Sequence, residues 1–418
     1  MGVRFRMTKG TNFRKFILLW WGELISSVGG GLTSFGLGVY VFRMTGSAAD
    51  MAMITLLAFL PTLLLSVPAG VLADRMDRRL LMMAGDGCSA LGLIYILLCL
   101  ADGYAALPEI YIGVLISAVF SSLLDPAYKA TISELLTKEE YAKASGLVSI
   151  AGSARYLISP LIAGILLAIA DIRLLLIIDI LTFLLTVICT SIVRKGMAHH
   201  RKQETRTPFL QEMKTGFKAI AEKKGILVLV IMSSFMTLSF GTLQVLAEPM
   251  ILSFADSMSL GVAETICACG MLVSGVLLGI FGIKKGYVKV LGLSLCFAGI
   301  AMVVFGARDN IIQICVAGFS FFCMLPIANC CLDYLVRVNI REDLQGRTWG
   351  MIGLLSQIGY VVAYGAAGGA ADFMAKNLSV STGRGSGMII MMFGAFLSFL
   401  AVVICSLKRI RQLEGERY

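Results

Sequence analysis

From Phe16 to Cys405 the chain spells one long apolar run after another, each near the length that crosses a hydrocarbon core and each closed by a short charged turn. A membrane-spanning helix takes about 20 residues. The hydropathy predicts twelve spans, near 16–42, 48–73, 80–101, 107–126, 145–169, 173–193, 225–247, 263–283, 288–306, 310–334, 349–371 and 386–406. No single water-soluble core can hold so many such runs. Of the 418 residues, 58% are apolar and only 15% charged, against about 45–50% and 25% for a soluble domain. Twelve spans use about 240 residues, which leaves no room for a fused ATPase or a large sensor domain. The expected fold class is therefore an all-α integral membrane protein with twelve transmembrane helices.

Charge fixes the expected sidedness. Of 36 Lys and Arg, 30 fall in the N-terminal lead, the even-numbered turns and the C-terminal tail. The odd-numbered turns hold only Arg43, Arg173, Arg308, Lys376 and Arg384, and Arg155 lies within a span. Cations favour the cytoplasmic side, so both termini are expected in the cytoplasm of a multi-pass cell-membrane protein. The basic lead (Arg4, Arg6, Lys9, Arg14, Lys15) runs into a span-length segment with no small-residue cleavage site, so the first helix is expected to stay. The net charge of +10 is thereby assigned to membrane topology, and no nucleic-acid partner is expected.

Other side-chain chemistry is sparse. The eleven Cys lie in apolar runs and read as small buried hydrophobes, with no metal site. The two His, His199 and His200, are adjacent in a polar stretch, which excludes a histidine relay inside the membrane. There is no GxxxxGK[ST], HExxH or catalytic-triad spelling, so the chain is not expected to be an enzyme and an uphill process would have to draw on an ion gradient.

The polar stretch Arg194–Lys224 divides the chain almost midway. It carries nine cations against Glu204, Glu212 and Glu222, and Phe209, Leu210, Met213, Phe217 and Ile220 recur at helical spacing. An amphipathic helix on the inner membrane surface and a solvated basic linker both fit. Ser133–Gly164 and Val336–Gly369 share an order of features: a charged segment, a Gly-containing span entry, a small-residue helix end. Similar halves are a mark of transporters built from repeats. The expected organisation is 1–193 as one six-helix bundle, 194–224 as linker and 225–418 as a second, pseudo-symmetric bundle.

The most specific local spelling is GVLADRMDRR at 70–79. It resembles the signature loop of the major facilitator superfamily, with Asp77 where that family usually has Gly. LWWGELISSVGG at 19–30, MTGS at 44–47 and the stretch 59–79 resemble the macrolide-efflux branch of its drug:proton antiporters, and the similarity runs along essentially the whole chain. The resemblance implies two bundles that rock about a central cavity, with a gate built from Gly70, Asp74, Arg75, Arg78 and the fourth-span acid Asp125. It also implies close helix packing in the fifth span at Gly146, Pro160, Ala163 and Gly164. Some marks depart from the pattern. Arg155 and Ser159 stand where the fifth-span motif has glycines, Ile283 replaces the aspartate in the second-half copy of the loop, and Ser117 sits about where many drug antiporters have an arginine.

Ionisable groups within spans are costly unless paired or solvated. Glu248 and Glu264 read as solvated residues at span ends, Asp333 as a possible counterpart of Asp125, and Asp86 and Asp179 as helix-packing hydrogen-bond partners. Glu23 and Arg155 lie deeper, on spans that are neighbours in this fold. They are expected to serve proton coupling, with ionised Glu23 paired to Arg155 and released on protonation; a structural ion pair is the competing reading. For a substrate cavity the second half offers Met236, Phe240, Gln244, Phe321, Met324, Asn329, Gln357 and Tyr360, of which Phe240, Gln244, Asn329 and Gln357 are the candidate substrate contacts.

The expected function is proton-coupled efflux of amphipathic drug-like compounds by a monomer in contact with membrane lipid, with no cofactor beyond the proton gradient. An exporter of a native metabolite such as a siderophore or peptide is an alternative, as is a scaffold or sensor that does not transport. Intact Asp74 and Arg78 count against a scaffold.

Overall fold

The computed structural model describes residues 12–101, 103–195, 217, 224–340, 345–407, 410 and 412. The expected linker helix lies outside these residues, Phe217 apart. Fourteen α-helices are described: α1 (Phe13–Thr45), α2 (Ala48–Arg75), α3 (Arg78–Ala101), α4 (Leu107–Ser121), α5 (Leu124–Leu135), α6 (Tyr141–Leu157), α7 (Ser159–Ile169), α8 (Ile172–Lys195), α9 (Lys224–Leu252), α10 (Ser257–Phe281), α11 (Tyr287–Ala307), α12 (Ile311–Asn339), α13 (Gln345–Leu378) and α14 (Thr382–Ser406). No strand occurs among the described residues.

These helices trace twelve paths long and apolar enough to cross a membrane, α4 with α5 forming one and α6 with α7 another. The two breaks have the same cause. Pro126 and Pro160 have no N–H to give to the carbonyl four residues back, and the helical ladder is interrupted at Ser122–Leu123 and at Ile158.

By internal contacts the chain forms two units. One holds residues 1–34, 57–159 and 170–203, and the other 35–56, 160–169 and 204–418. In the first unit α1 is stitched to α6 and α7 by polar groups at three levels. Trp20 Nε1 donates to the Leu147 carbonyl at 2.6 Å, Ser27 Oγ to that of Ala151 at 3.2 Å, and Ser159 Oγ back to that of Val28 at 3.0 Å. Phe16, Leu19 and Trp20 of α1 join Leu81 and Met82 of α3, Tyr128 and Leu135 of α5 and Ala144 and Ala151 of α6 in one buried cluster.

In the second unit the helices meet through small residues, as expected where lipid competes for apolar surface and van der Waals contact decides association. Gly241 of α9 leaves room for Ala363 and Tyr360 of α13. Beside it Ser233 and Ser356 share a 2.7 Å hydroxyl contact, and Ser234 Oγ donates to the Leu355 carbonyl at 3.0 Å. Gly299 and Gly394, and likewise Gly306 and Gly387, bring the backbones of α11 and α14 together.

Candidate functional site

Glu23 stands ten residues into α1, about 15 Å along the helix. Its Oε2 is buried and has no hydrogen-bond partner. Asp125, Arg155 and Asp86 are charged groups whose fields couple to it, and the Tyr128 hydroxyl, also buried and unpartnered, lies within reach of its charge. Arg155 itself is exposed on α6, with its Cγ 3.1 Å from the place a β-carbon on Gly31 would take. The helices that carry the two residues, α1 and α6, are neighbours as expected, but no ion-pair contact joins Glu23 to Arg155 in this state.

Two further acids of the same unit are buried more deeply, Asp86 on α3 at 2% exposure and Asp179 on α8 at 1%. They differ in satisfaction. Asp179 Oδ1 accepts from Thr182 Oγ1 at 3.3 Å, and Gly29 leaves it room, because a β-carbon there would lie 2.8 Å from that oxygen. Asp86 Oδ2 has no partner. The helix-packing role read for both acids thus fits Asp179 better than Asp86.

The signature loop forms a compact ionic turn between α2 and α3. Arg78 Nε donates to the Ala73 carbonyl at 3.3 Å and its Nη1 to the Ala130 carbonyl at 3.0 Å. Arg79, 2% exposed, meets Glu134 at 2.9 Å, and Arg78 reaches the same acid at 3.7 Å. The acid facing the loop arginines is therefore Glu134 of α5, whereas Asp125 is bonded to Lys129 of its own helix at 2.8 Å, both largely exposed. The sequence expectation for Asp125 is corrected accordingly. At the opening of α5 it is held by the nearest cation on its own helix, four residues on, a spacing that brings side chains together. Gly70 is partly buried with open space beside its α-carbon, and Arg75 is exposed.

Asp77, where the family usually has Gly, has two jobs. Its Oδ1 accepts the Arg79 amide at 3.1 Å, and its Oδ2 takes Arg194 Nε of α8 at 2.9 Å. Partial burial pushes this carboxyl up, but the Arg194 guanidinium and the Arg79 amide outweigh that and hold it below its ordinary value. A lowered folded-state pKa gives stability that is present above the unfolded value of about 3.9 and lost as pH falls through the folded one. Both groups are partly exposed, so the pair is worth well under about 1 kcal/mol. Arg194→Ala is expected to lower the melting temperature of the purified protein by no more than about 2 °C. That difference should be constant from about pH 8 to 5 and vanish only below about pH 4.

The fifth-span residues behave unequally. Gly164 and Pro160 of α7 cross Gly261 of α10 at backbone contact; a β-carbon on Gly164 would lie 2.6 Å from the Ser257 carbonyl oxygen and 3.2 Å from the Met258 α-carbon. Ala163 is fully buried beside them. Gly146 is exposed with nothing within 4 Å of a β-carbon, so no close helix contact depends on it here. Glu248 is also placed differently from its reading as a solvated span-end acid. It folds against α1, with Oε2 2.7 Å from the β-carbon position of Gly38, and Glu264 of α10 is its charged neighbour.

The candidate substrate contacts of the second half separate as well. Phe240 of α9 is the centre of an aromatic cluster, stacked on Phe321 at 6.1 Å and edge-on to Phe322 at 5.9 Å and to Tyr360 at 5.7 Å. Gln244, one turn on, accepts from the Tyr364 hydroxyl at 2.6 Å. Gln357, one turn before Tyr360 on α13, has a buried Oε1 with no donor. Asn329 is exposed on α12 and shares no ring contact with that cluster. Phe321 and Tyr360 are among the side chains the sequence offers for the cavity, whereas Phe322 is not, because ring geometry between helices leaves no local spelling.

The family model for the Major Facilitator Superfamily matches residues 19–364. Macrolide efflux protein A of Streptococcus pyogenes is 25% identical over 364 residues, covering 84% of this chain and 88% of that protein. Its namesake in Enterococcus faecalis is 25% identical over 326 residues, 75% and 98% of the two chains. The fold is shared with the POT family transporter PepTSo (TM-score 0.77, 11% identity, 97% and 99% covered) and with a bacterial homologue of the iron transporter ferroportin in an inward-facing state (TM-score 0.73, 13% identity, 95% and 100% covered). Twelve spans, the arginine-bearing turn after α2 and a family match over most of its length together make this chain a member of the Major Facilitator Superfamily, a multi-pass membrane transporter.

Proposed function

We propose that the chain exports amphipathic small molecules by alternating access, driven by proton entry, with Glu23 as the coupling carboxylate. The observation that carries this reading is the buried Glu23 Oε2 without a partner, on a helix that polar groups tie to α6 and α7. An ionised carboxylate oxygen in an apolar interior costs several kcal/mol unless it is paired or wetted. A group so placed responds to its surroundings by taking or releasing a proton. Arg155 is close enough to favour the ionised form when the helices shift.

The aromatic cluster around Phe240 and the donor-free Gln357 Oε1 suit a ligand with a flat apolar body and a hydrogen-bond donor. The macrolide efflux relatives support the substrate class, and the basic lead and linker support termini in the cytoplasm. Phe240→Ala is expected to raise the substrate concentration for half-maximal export about tenfold through loss of ring contacts, with the maximal rate less affected, as read from dose-dependent dye efflux.

The reading is tested in an efflux-deficient host expressing the chain. Macrolides, cationic dyes and siderophores are screened for reduced accumulation, and the proton gradient is then collapsed with a protonophore. Accumulation should return to the level of the empty host; export that persists on collapse would remove proton coupling.

A further inference from the structure

At the α1–α2 turn a carboxylate from the far end of the sequence completes a helix cap. The first N–H groups of any helix lack intrahelical acceptors. In α2 the Asp50 amide is taken by Ser47 Oγ at 3.1 Å, the ordinary work of a serine N-cap. The amides of Ala48 and Ala49 are not served locally. Asp372 of α13 accepts both, at 3.0 Å on Oδ1 and 3.0 Å on Oδ2, and takes the Ser47 hydroxyl at 2.8 Å as well.

The approach is prepared one turn earlier. Gly368 lies under the same residues, and a β-carbon there would be 2.7 Å from the Ala49 α-carbon. Only glycine lets α13 come this near. From the next helix, Thr382 Oγ1 donates to the Gly46 carbonyl at 3.0 Å, and Gly46 makes the turn with φ +68°. The helix start is thus held from outside its own half of the chain by a charged acceptor, which also meets the positive end of the α2 dipole.

We infer that Asp372 is a latch that holds the start of α2 to α13 in this state and has to let go before this end of the transporter opens. The inference rests on the alternating-access reading. Opening moves the α2 start away from α13, which strands two backbone amides and a hydroxyl until water replaces the carboxylate. The latch therefore weights the equilibrium toward the state with this end shut, and removing the charge tips it the other way. Asp372 is neither a proton carrier nor a substrate contact in this account; it positions α2.

The test is hydrogen exchange with mass spectrometry on the full chain in lipid nanodiscs, for wild type, Asp372→Asn and Asp372→Ala, with Phe373→Ala as an exposed neighbour. This readout needs neither substrate nor gradient, so it stands whether or not the export reading survives. Both Asp372 variants are expected to raise exchange about tenfold in the peptide spanning residues 46–52, with the interiors of the spans still protected and Phe373→Ala like wild type. Exchange in that peptide equal to wild type in both variants overturns the latch. Protection lost along all the spans in both variants overturns it too, since a released latch leaves the helices folded.

Discussion

Glu23→Gln is expected to leave the protein folded and able to bind substrate but unable to hold a concentration ratio across the membrane. Glutamine keeps the shape and removes the ionisable proton. The variant should equilibrate substrate down its gradient and stop responding to pH. The buried Oε2 without a partner, within reach of the Arg155 charge, is what makes the prediction specific to Glu23 and not to Asp86, whose unpartnered Oδ2 has acids as its charged neighbours. A structural ion pair would lose stability when one member is neutralised, by several kcal/mol if buried, whereas here no ion-pair contact exists to lose. Counterflow of labelled substrate should continue at near the wild-type rate while uphill export falls to background, and a melting temperature close to wild type distinguishes the two roles.

The second large effect is expected at the α7–α10 crossing. Gly164→Ala would press a methyl group against the Ser257 carbonyl oxygen at 2.6 Å, and that neighbour is backbone, not the end of a flexible side chain. Overpacking of this kind costs about 1–3 kcal/mol. It falls on the contact that draws α7 against α10, so export should drop at least about tenfold. Gly146→Ala faces open space and should export like wild type. The two glycines look equivalent in the fifth-span motif, so the contrast between the two efflux assays tests the observed packing and not the spelling.

Much of the architecture is legible in the sequence because each span must satisfy its own backbone in lipid, and length and apolarity then suffice. The breaks before Pro126 and Pro160 are equally local, being set by a missing N–H. What the sequence does not carry is the register between helices. Arg78 and Arg79 meet Glu134 because the end of α5 comes level with the start of α3, and no spacing rule within either helix states that. Asp77 shows the same limit: a departure from the family's glycine is visible in the spelling, but its partner Arg194 lies 117 residues away.

Asp372 is the clearest case. Nothing in the spelling around it singles it out, while its use is to cap a helix that begins 324 residues earlier. Glu248 misleads, since a glutamate before Pro249 at a helix end reads as a boundary residue and is instead folded over Gly38. In each case helix position is written locally and the partner is supplied by the fold.

The central claim, that proton entry through Glu23 drives export, is tested most directly by flux in proteoliposomes with the purified chain. A pH gradient is imposed, a macrolide or cationic dye is supplied, and substrate movement and lumenal pH are followed together for wild type and Glu23→Gln. The account predicts substrate-dependent proton movement in wild type and none in the variant, with downhill substrate exchange retained in both. Proton movement in the variant equal to wild type, or wild-type export indifferent to the gradient, would contradict it.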